Sequence, residues 1–265
     1  MPFDDAISVC LLASGSRGNA IYISDGHASI LIDAGLSGVE IQRRMAAREL
    51  DPQQLNGIVV SHEHNDHIQA VGILARRFKL PVYISANTYA AAQKQLGKID
   101  TIERFNCGTP FQVGSLKLHP FSISHDATDP AGFTVTANGT RIGIATDLGI
   151  VTTMVKTHLQ DCVALIIEAN HDRTMLSEGP YPWPLKQRIQ SRSGHLSNDD
   201  TSQLLLEVLH DGLTHVILAH LSEQNNTPDK ALQAVQQTLA GTGVNLSVAV
   251  QDSCSKVFTI KTKPR

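Results

Sequence analysis

Ser61-His62-Glu63-His64-Asn65-Asp66-His67 follows the apolar run Gly57-Ile58-Val59-Val60. Such a run, bounded by a polar turn, reads as a short buried strand. The seven residues therefore lie in the turn at its end, where several side chains can converge on one point. His62 and His64 are two apart and point the same way, while Asp66 and His67 come after the turn and can face a second ion. Imidazole and carboxylate together suit zinc, manganese or iron. With 12 His in 265 residues, chance supplies His-x-His-x-Asp-His roughly 0.0015 times per chain, which favours a metal centre over a polar surface turn.

Outward from this stretch, short β-rich runs alternate with helix-like segments. Strands are expected at 7–14, 20–25, 28–35, 57–61 and 81–85, and helices at 37–50, 66–78 and 86–96. From 101 to 146 the chain reads almost wholly β, with Asn138-Gly139 as a hairpin signal. A helix at 151–160, a strand at 163–169, an irregular Pro-rich stretch at 177–184 and a strand at 215–220 follow. Ser197 can cap a helix whose first turn carries Asp199 and Asp200, and Thr227-Pro228-Asp229 opens another with Pro at its first position. Strands at 244–250 and 256–260 close the chain. The similar strand content of 7–61 and 116–168 hints at a duplicated core, two sheets face to face with helices outside.

The composition, 42% hydrophobic and 18% charged with no linker-like or low-complexity tract, points to one domain over 1–265. Cys10, Cys107, Cys162 and Cys254 are far apart and form no C-x-x-C pair, so buried free thiols are expected. The opening MPFDDAISVCLLAS is acidic and lacks the features of a signal peptide, and no window is long and apolar enough for a membrane span. A cytoplasmic protein is the expectation. The net charge of −3 lacks the basic excess of proteins that coat nucleic acid, so any phosphate must be met by a local patch.

A strand leading into His-x-His-x-Asp-His resembles the second motif of the metallo-β-lactamase superfamily, and residues resembling its other motifs occur in order. They are Asp33 in ILIDAG, His125 in FSISHDATDPAGFTV, Asp147 in RIGIATDLG and His220 in VILAHLSEQNN. The resemblance implies an α/β fold: a four-layer αββα sandwich, two mixed β-sheets with helices on both outer faces. It also implies two divalent ions (Zn or Mn, with Fe as a third choice). His62, His64 and His125 would hold one, and Asp66, His67 and His220 the other. Asp147 would bridge them opposite a nucleophilic hydroxide, and Asp33 would support the metal loop from behind. An Asp at the bridging position with no Cys near it departs from the classes that hydrolyse β-lactams through a Cys ligand.

Glu168 in IIEANHD and His195 in SGHLSND resemble the pair of ribonuclease Z and its relatives, in which a glutamate orients a histidine towards the scissile phosphate. A carboxylate-held imidazole is a competent general acid; a strand-end carboxylate and a helix-entry histidine are the plainer alternatives. The blocks LASGSRGNA, ATDLG, EANHD, YP-x-x-LK-x-RI, GHLSN and LAHLS-x-x-NN resemble the YycJ/WalJ branch, whose members look like DNA exonucleases acting from 5′ ends. Candidate phosphate contacts are Ser14, Ser16, Arg17 and Asn19 in a small-residue turn able to present N–H groups, together with His171, Arg188 and Asn225. An ordinary hairpin turn, a solvated basic face and a capped loop are the respective alternatives, and His171 could equally be a further ligand.

The expected function is a dinuclear-metal phosphodiesterase, a 5′-directed exonuclease on nucleic acid with Asp147, His195 and Glu168 as catalytic residues. The alternative is a thioesterase or lactonase acting on a small carboxylic substrate, which needs no Glu168–His195 pair. A non-enzymatic module with a structural metal is the third reading, and an open ligand set argues against it. The chain is too short for the extra domain that resembles the clamp of RNA-processing relatives, so a homodimer would be one way to add gripping surface.

Overall fold

The computed structural model describes residues 6–261; residues 1–5, which carry part of the acidic opening, lie outside the described residues. The first half of the chain lays down β1 (Ala6–Ala13), β2 (Ala20–Ser24), β3 (Ser29–Ile32), β4 (Gly57–Val59), β5 (Val82–Ser85) and β6 (Ile102–Phe105). Between them lie α1 (Gly38–Ala46), α2 (Asn65–Ile68), α3 (Val71–Phe78) and α4 (Ala86–Leu96). The second half adds β7 (Phe111–Val113), β8 (Leu116–Ser122), β9 (Ala131–Ala137), β10 (Thr140–Ala145), β11 (Ala164–Glu168), β12 (His215–Ala219) and β13 (Asn245–Val248). Its helices are α5 (Thr153–Leu159), α6 (Arg173–Glu178), α7 (Trp183–Ile189), α8 (Asn198–Val208) and α9 (Pro228–Gln236), and β14 (Phe258–Lys261) comes last.

The strands form two mixed sheets, in the orders β14-β1-β2-β3-β4-β5-β6 and β13-β12-β11-β10-β9-β8-β7. Side chains alternate faces along a strand, and that alternation separates three apolar layers. Ile30, Ile166 and Ile217 point into the core between the sheets. Their neighbours Leu31, Leu165 and Val216 point outward, the first against α1, α3 and α4 and the others against α5, α8 and α9. Three apolar interfaces make four layers, αββα. Each fully buried Leu, Ile or Val contributes about 1.5–3 kcal/mol, so strands β3, β4 and β11, buried along their whole length, fix the sheet positions from which the site is built.

The expected caps are present: Ser197 and Asp200 form a reciprocal capping box on α8, and Thr227 caps α9 with Pro in its first turn. Two segments differ from the sequence reading. The helix expected over 66–78 is broken into α2 and α3. The Asp66 carbonyl, which a continuous helix would offer to Ala70, instead accepts the Asn19 amide at 2.7 Å, and the Ala70 amide donates to Ala34 at 2.8 Å. The stretch expected to be irregular over 177–184 instead ends α6 and begins α7. Pro184 sits in the first turn of α7, where a missing N–H leaves no bond unmade.

Candidate metal centre and active site

The functional side chains gather where the two sheets present their strand ends. Asp33 directly follows β3, the His62–His67 loop leaves β4, Asp147 follows β10, Glu168 ends β11 and His220 directly follows β12. Asp33, Asp147 and His220 all adopt left-handed backbone, with φ of 61°, 58° and 55°. Such residues are uncommon and persist where surrounding bonds hold them. Here the Asp33 amide donates to Val59 O at 2.8 Å and the His220 amide to Ser14 Oγ at 2.7 Å. Gly35 is needed for a different reason: a Cβ there would lie 1.6 Å from the Asp66 carbonyl oxygen, so any side chain would push the metal-loop backbone away.

Three ring nitrogens converge at one point. His62 Nε2 and His64 Nδ1 are 3.1 Å apart, and His125 Nε2 lies 3.3 Å from the same His64 atom. Ring nitrogens bound about 2.0–2.1 Å from one tetrahedral ion stand about 3.3–3.4 Å from each other, so the trio fits a single cation. Asp66, His67 and His220 form a second group, with Asp66 Oδ2 3.5 Å from His67 Nε2 and 3.8 Å from His220 Nε2. Asp147 stands between the groups: its Oδ2 is 3.3 Å from His67 Nε2 and its Oδ1 3.8 Å from His125 Nε2. Asp147 Oδ2 and His220 Nε2 are buried without a hydrogen-bond partner among the described residues, and a cation would satisfy both.

The candidate ligand rings are held from behind. Asp33 accepts from Ser61 N at 2.8 Å and Ser61 Oγ at 2.7 Å, and from His67 Nδ1 at 2.7 Å, which leaves His67 Nε2 for a metal. His125 Nδ1 faces the Gly194 carbonyl at 3.2 Å. Glu168 Oε1 accepts from two histidines, His195 Nδ1 at 2.7 Å and His220 Nδ1 at 2.9 Å, while its Oε2 takes the Leu148 amide at 2.6 Å. One buried carboxylate thus orients both a candidate ligand and a candidate acid. Burial by itself would raise the Glu168 carboxyl, but the charge and hydrogen bonds of His195 and His220 outweigh it and bring it to about 2. Burial opposes protonation of His195, yet Glu168 holds its pKa above the ordinary histidine value. His220 is likewise penalised by burial and pulled up to about 10, by Asp147 first and then Asp66 and Glu168. The buried carboxylates that pull His195 and His220 up would equally favour cations, whereas burial pushes His62 and His125 down.

The residues considered for phosphate contact fall into two sets. Ser14 and Asn19 are buried and engaged with the protein: Ser14 with the His220 amide, and Asn19 Nδ2 at 3.2 Å from Asp66 Oδ2 and 3.0 Å from His67 Nε2. Asn225 is fully buried, with its amide donating to Ser222 Oγ. Among the described residues His171 joins none of the ligand groups and its Nδ1 meets no hydrogen-bond partner; burial brings its imidazole down to about 4. Ser16 and Arg188, by contrast, line the opening over the ligand cluster with His64, Asp66, His125 and His195. Arg188 pairs with Asp126 at 2.5 Å, and Arg17 with Asp252 at 2.5 Å and Glu223 at 3.4 Å.

Sequence reasoning did not single out Ser61, which joins Asp33 to the metal loop, or Asp126, whose Oδ1 lies 3.4 Å from His125 Nε2. Their signal was adjacency, since each is the immediate neighbour of a motif histidine. The four cysteines are free, with Cys10 and Cys162 buried and Cys107 and Cys254 partly so. No helix among the described residues is long and apolar enough to cross a membrane.

Comparison with known proteins agrees with this architecture. A β-lactamase superfamily domain matches residues 28–220. An exodeoxyribonuclease YycJ of Bacillus anthracis is 37% identical over 253 residues, covering 94% of this chain and 96% of that protein. An exodeoxyribonuclease WalJ of Streptococcus pneumoniae serotype 2 is 36% identical over 246 residues, covering 90% and 91%. Among solved structures, the metallo-β-lactamase fold protein YhfI of Bacillus subtilis superposes with a TM-score of 0.76 at 16% identity, covering 95% of this chain and 99% of that one. Human tRNase Z, short form, superposes at 0.66 and 14% identity, covering 95% and 99%. With the ligand-like clusters on the strand ends and relatives matched along nearly their full length, the chain belongs to the metallo-β-lactamase superfamily, among the YycJ and WalJ proteins.

Proposed function

We propose that this protein is a metal-dependent exodeoxyribonuclease that works from 5′ ends of DNA, with two divalent ions, Zn or Mn, at its centre. The observation that carries the reading is the Glu168–His195 pair, 2.7 Å apart, set beside the ligand cluster with His195 Nδ1 4.0 Å from Asp147 Oδ1. His62, His64 and His125 would hold one ion and Asp66, His67 and His220 the other, with Asp147 shared. Bound there, a pair of ions supplies Lewis acidity towards a phosphoryl oxygen and a water acidic near neutral pH.

The chain's own residues do the rest. Glu168 engages Nδ1 of His195 and leaves Nε2 to face substrate. Because Glu168 also favours the protonated ring, His195 is suited to hold a proton on Nε2 and deliver it to the departing oxygen. Such a proton matters for an alkoxide leaving group; the thiolate of a thioester does not call for it. Asp33 and Glu168 set the tautomers of His67 and His220. The sheets share one apolar core, which supports a single domain over the chain. A DNA substrate, together with the absence of a membrane-crossing helix among the described residues, supports a cytoplasmic site of action.

The test is a substrate panel. Protein loaded with Mn²⁺ or Zn²⁺ is offered a 5′-phosphorylated oligonucleotide, a chromogenic phosphodiester, a thioester and a lactone. Turnover of both phosphodiesters is expected. Thioester or lactone turnover with silent phosphodiesters would eliminate the nuclease.

A further inference from the structure

A second cavity, of about 200 Å³, adjoins the opening over the ligand cluster. Ser16, Asp126, Arg188 and His195 line both spaces, so the two meet at the candidate acid. Helix α7 supplies much of the second cavity's wall. Leu185, Arg188 and Ile189, at i, i+3 and i+4, share one face of that helix, and Tyr181 joins them from just before it. Asn170 and Ser222 add polar groups. The result is an aromatic and aliphatic wall, a cation on the same helix face and hydrogen-bonding groups, in a space smaller than the roughly 300–1,000 Å³ of pockets that enclose drug-sized ligands.

The chemistry of His195 says what such a space should hold, an argument that rests on the proposed nuclease reading. An acid that protonates the leaving oxygen has the leaving group on its own side. For cleavage from a 5′ end, water oxygen bonds to phosphorus, the P–O3′ bond of the terminal nucleotide breaks, and its electron pair stays on O3′. That oxygen takes the His195 proton, and the proton lost by water restores the imidazole through solvent. The products are a mononucleotide with a free 3′ hydroxyl and a strand one residue shorter with a new 5′ phosphate. We propose that the cavity beside His195 seats this leaving terminal nucleotide of an unpaired DNA end, its base against Tyr181, Leu185 and Ile189. Arg188, held by Asp126 and with its side chain 61% exposed, meets the nucleotide's own 5′ phosphate. The cavity has room for one base, with the sugar and phosphate in the opening beside Arg188, so the pocket sets exonucleolytic length as well as binding the end.

The experiment uses the full chain, metal-loaded for kinetics and metal-free for calorimetry, with deoxyadenosine 5′-monophosphate as the probe of the pocket. The wild type is expected to release mononucleotides only, to be inhibited competitively by the probe, and to bind it without metal. Tyr181→Ala should raise both the KM for a 5′-phosphorylated single-stranded oligonucleotide and the inhibition constant of the probe about tenfold, the size of losing one base–aromatic stack, with a smaller effect on kcat. Ile189→Trp, which fills the cavity, should abolish probe binding in the metal-free protein. If the wild type cleaves no phosphodiester, the nuclease reading itself has failed. If it cleaves oligonucleotides but releases longer fragments, or if both variants bind the probe as the wild type does, the nuclease stands and the pocket assignment is overturned.

Discussion

The two sheets repeat one plan, yet only one of two matching carboxylates is left open for a metal. In each sheet three antiparallel junctions are followed by three parallel ones: β14-β1-β2-β3 then β3-β4-β5-β6, and β7-β8-β9-β10 then β10-β11-β12-β13. β3 therefore corresponds to β10, and Asp33 just past one corresponds to Asp147 just past the other. Both are buried and both are left-handed. Asp33 is saturated by Ser61 and His67, whereas Asp147 Oδ2 has no hydrogen-bond partner among the described residues. On the proposed reading, the same residue type at the same topological position serves as a prop or a ligand according to whether the protein completes its hydrogen bonds. β4 and β11 diverge in the same way: one leads into the histidine loop, the other ends in Glu168, which braces His195 and His220.

The largest expected effect tests the first contrast. Asp147→Asn should abolish turnover of a chromogenic phosphodiester and lower metal content, because one of the two oxygens that face the ligand groups becomes an amide nitrogen unable to ligate. Asp33→Asn should weaken metal affinity by about 10–100-fold, the usual cost of losing a supporting partner, with activity recovered in excess metal. Equal, unrecoverable losses in both variants would erase the distinction between prop and ligand.

The second contrast lies within the later half. His195→Ala should cost about 10²–10⁴-fold in rate, as for a general acid, with metal content unchanged. Glu168→Gln should cost rate and, because the same oxygen holds His220, about 10–100-fold in metal affinity. Elemental analysis after dialysis separates them: metal loss in His195→Ala would make that residue a ligand, and full retention in Glu168→Gln would refute the shared carboxylate.

The smallest effect joins the halves. Ser14, at the end of the first strand, accepts the His220 amide, so Ser14→Ala leaves a buried N–H unmet. A destabilisation of about 1–3 kcal/mol is expected in denaturant unfolding, and an unchanged midpoint would mean that the His220 backbone is held by other bonds.

The fold was legible because periodicity and turn residues mark the strands, and because the motif residues occur in an order that resembles one superfamily. The sequence also showed which residues carry imidazole and carboxylate. It did not show which of their atoms are already engaged, and that saturation separates Asp33 from Asp147. Ser14 and Asn19 read as members of an anion-facing turn; in the fold their side chains bond the His220 amide and reach the metal loop, a pairing set by tertiary contacts far away in sequence. The break between α2 and α3 was hidden for the same reason, since the amide of Ala70 finds its acceptor at Ala34. Helix α7 was missed because its prolines read as breakers, although one of them lies in a first turn.

The most direct test is anomalous diffraction from crystals of the Mn²⁺-loaded protein. Two peaks about 3.5–4 Å apart are expected, one against His62, His64 and His125 and the other against Asp66, His67 and His220, with Asp147 touching both. A single peak, or ions that leave Asp147 uncoordinated, would contradict the account.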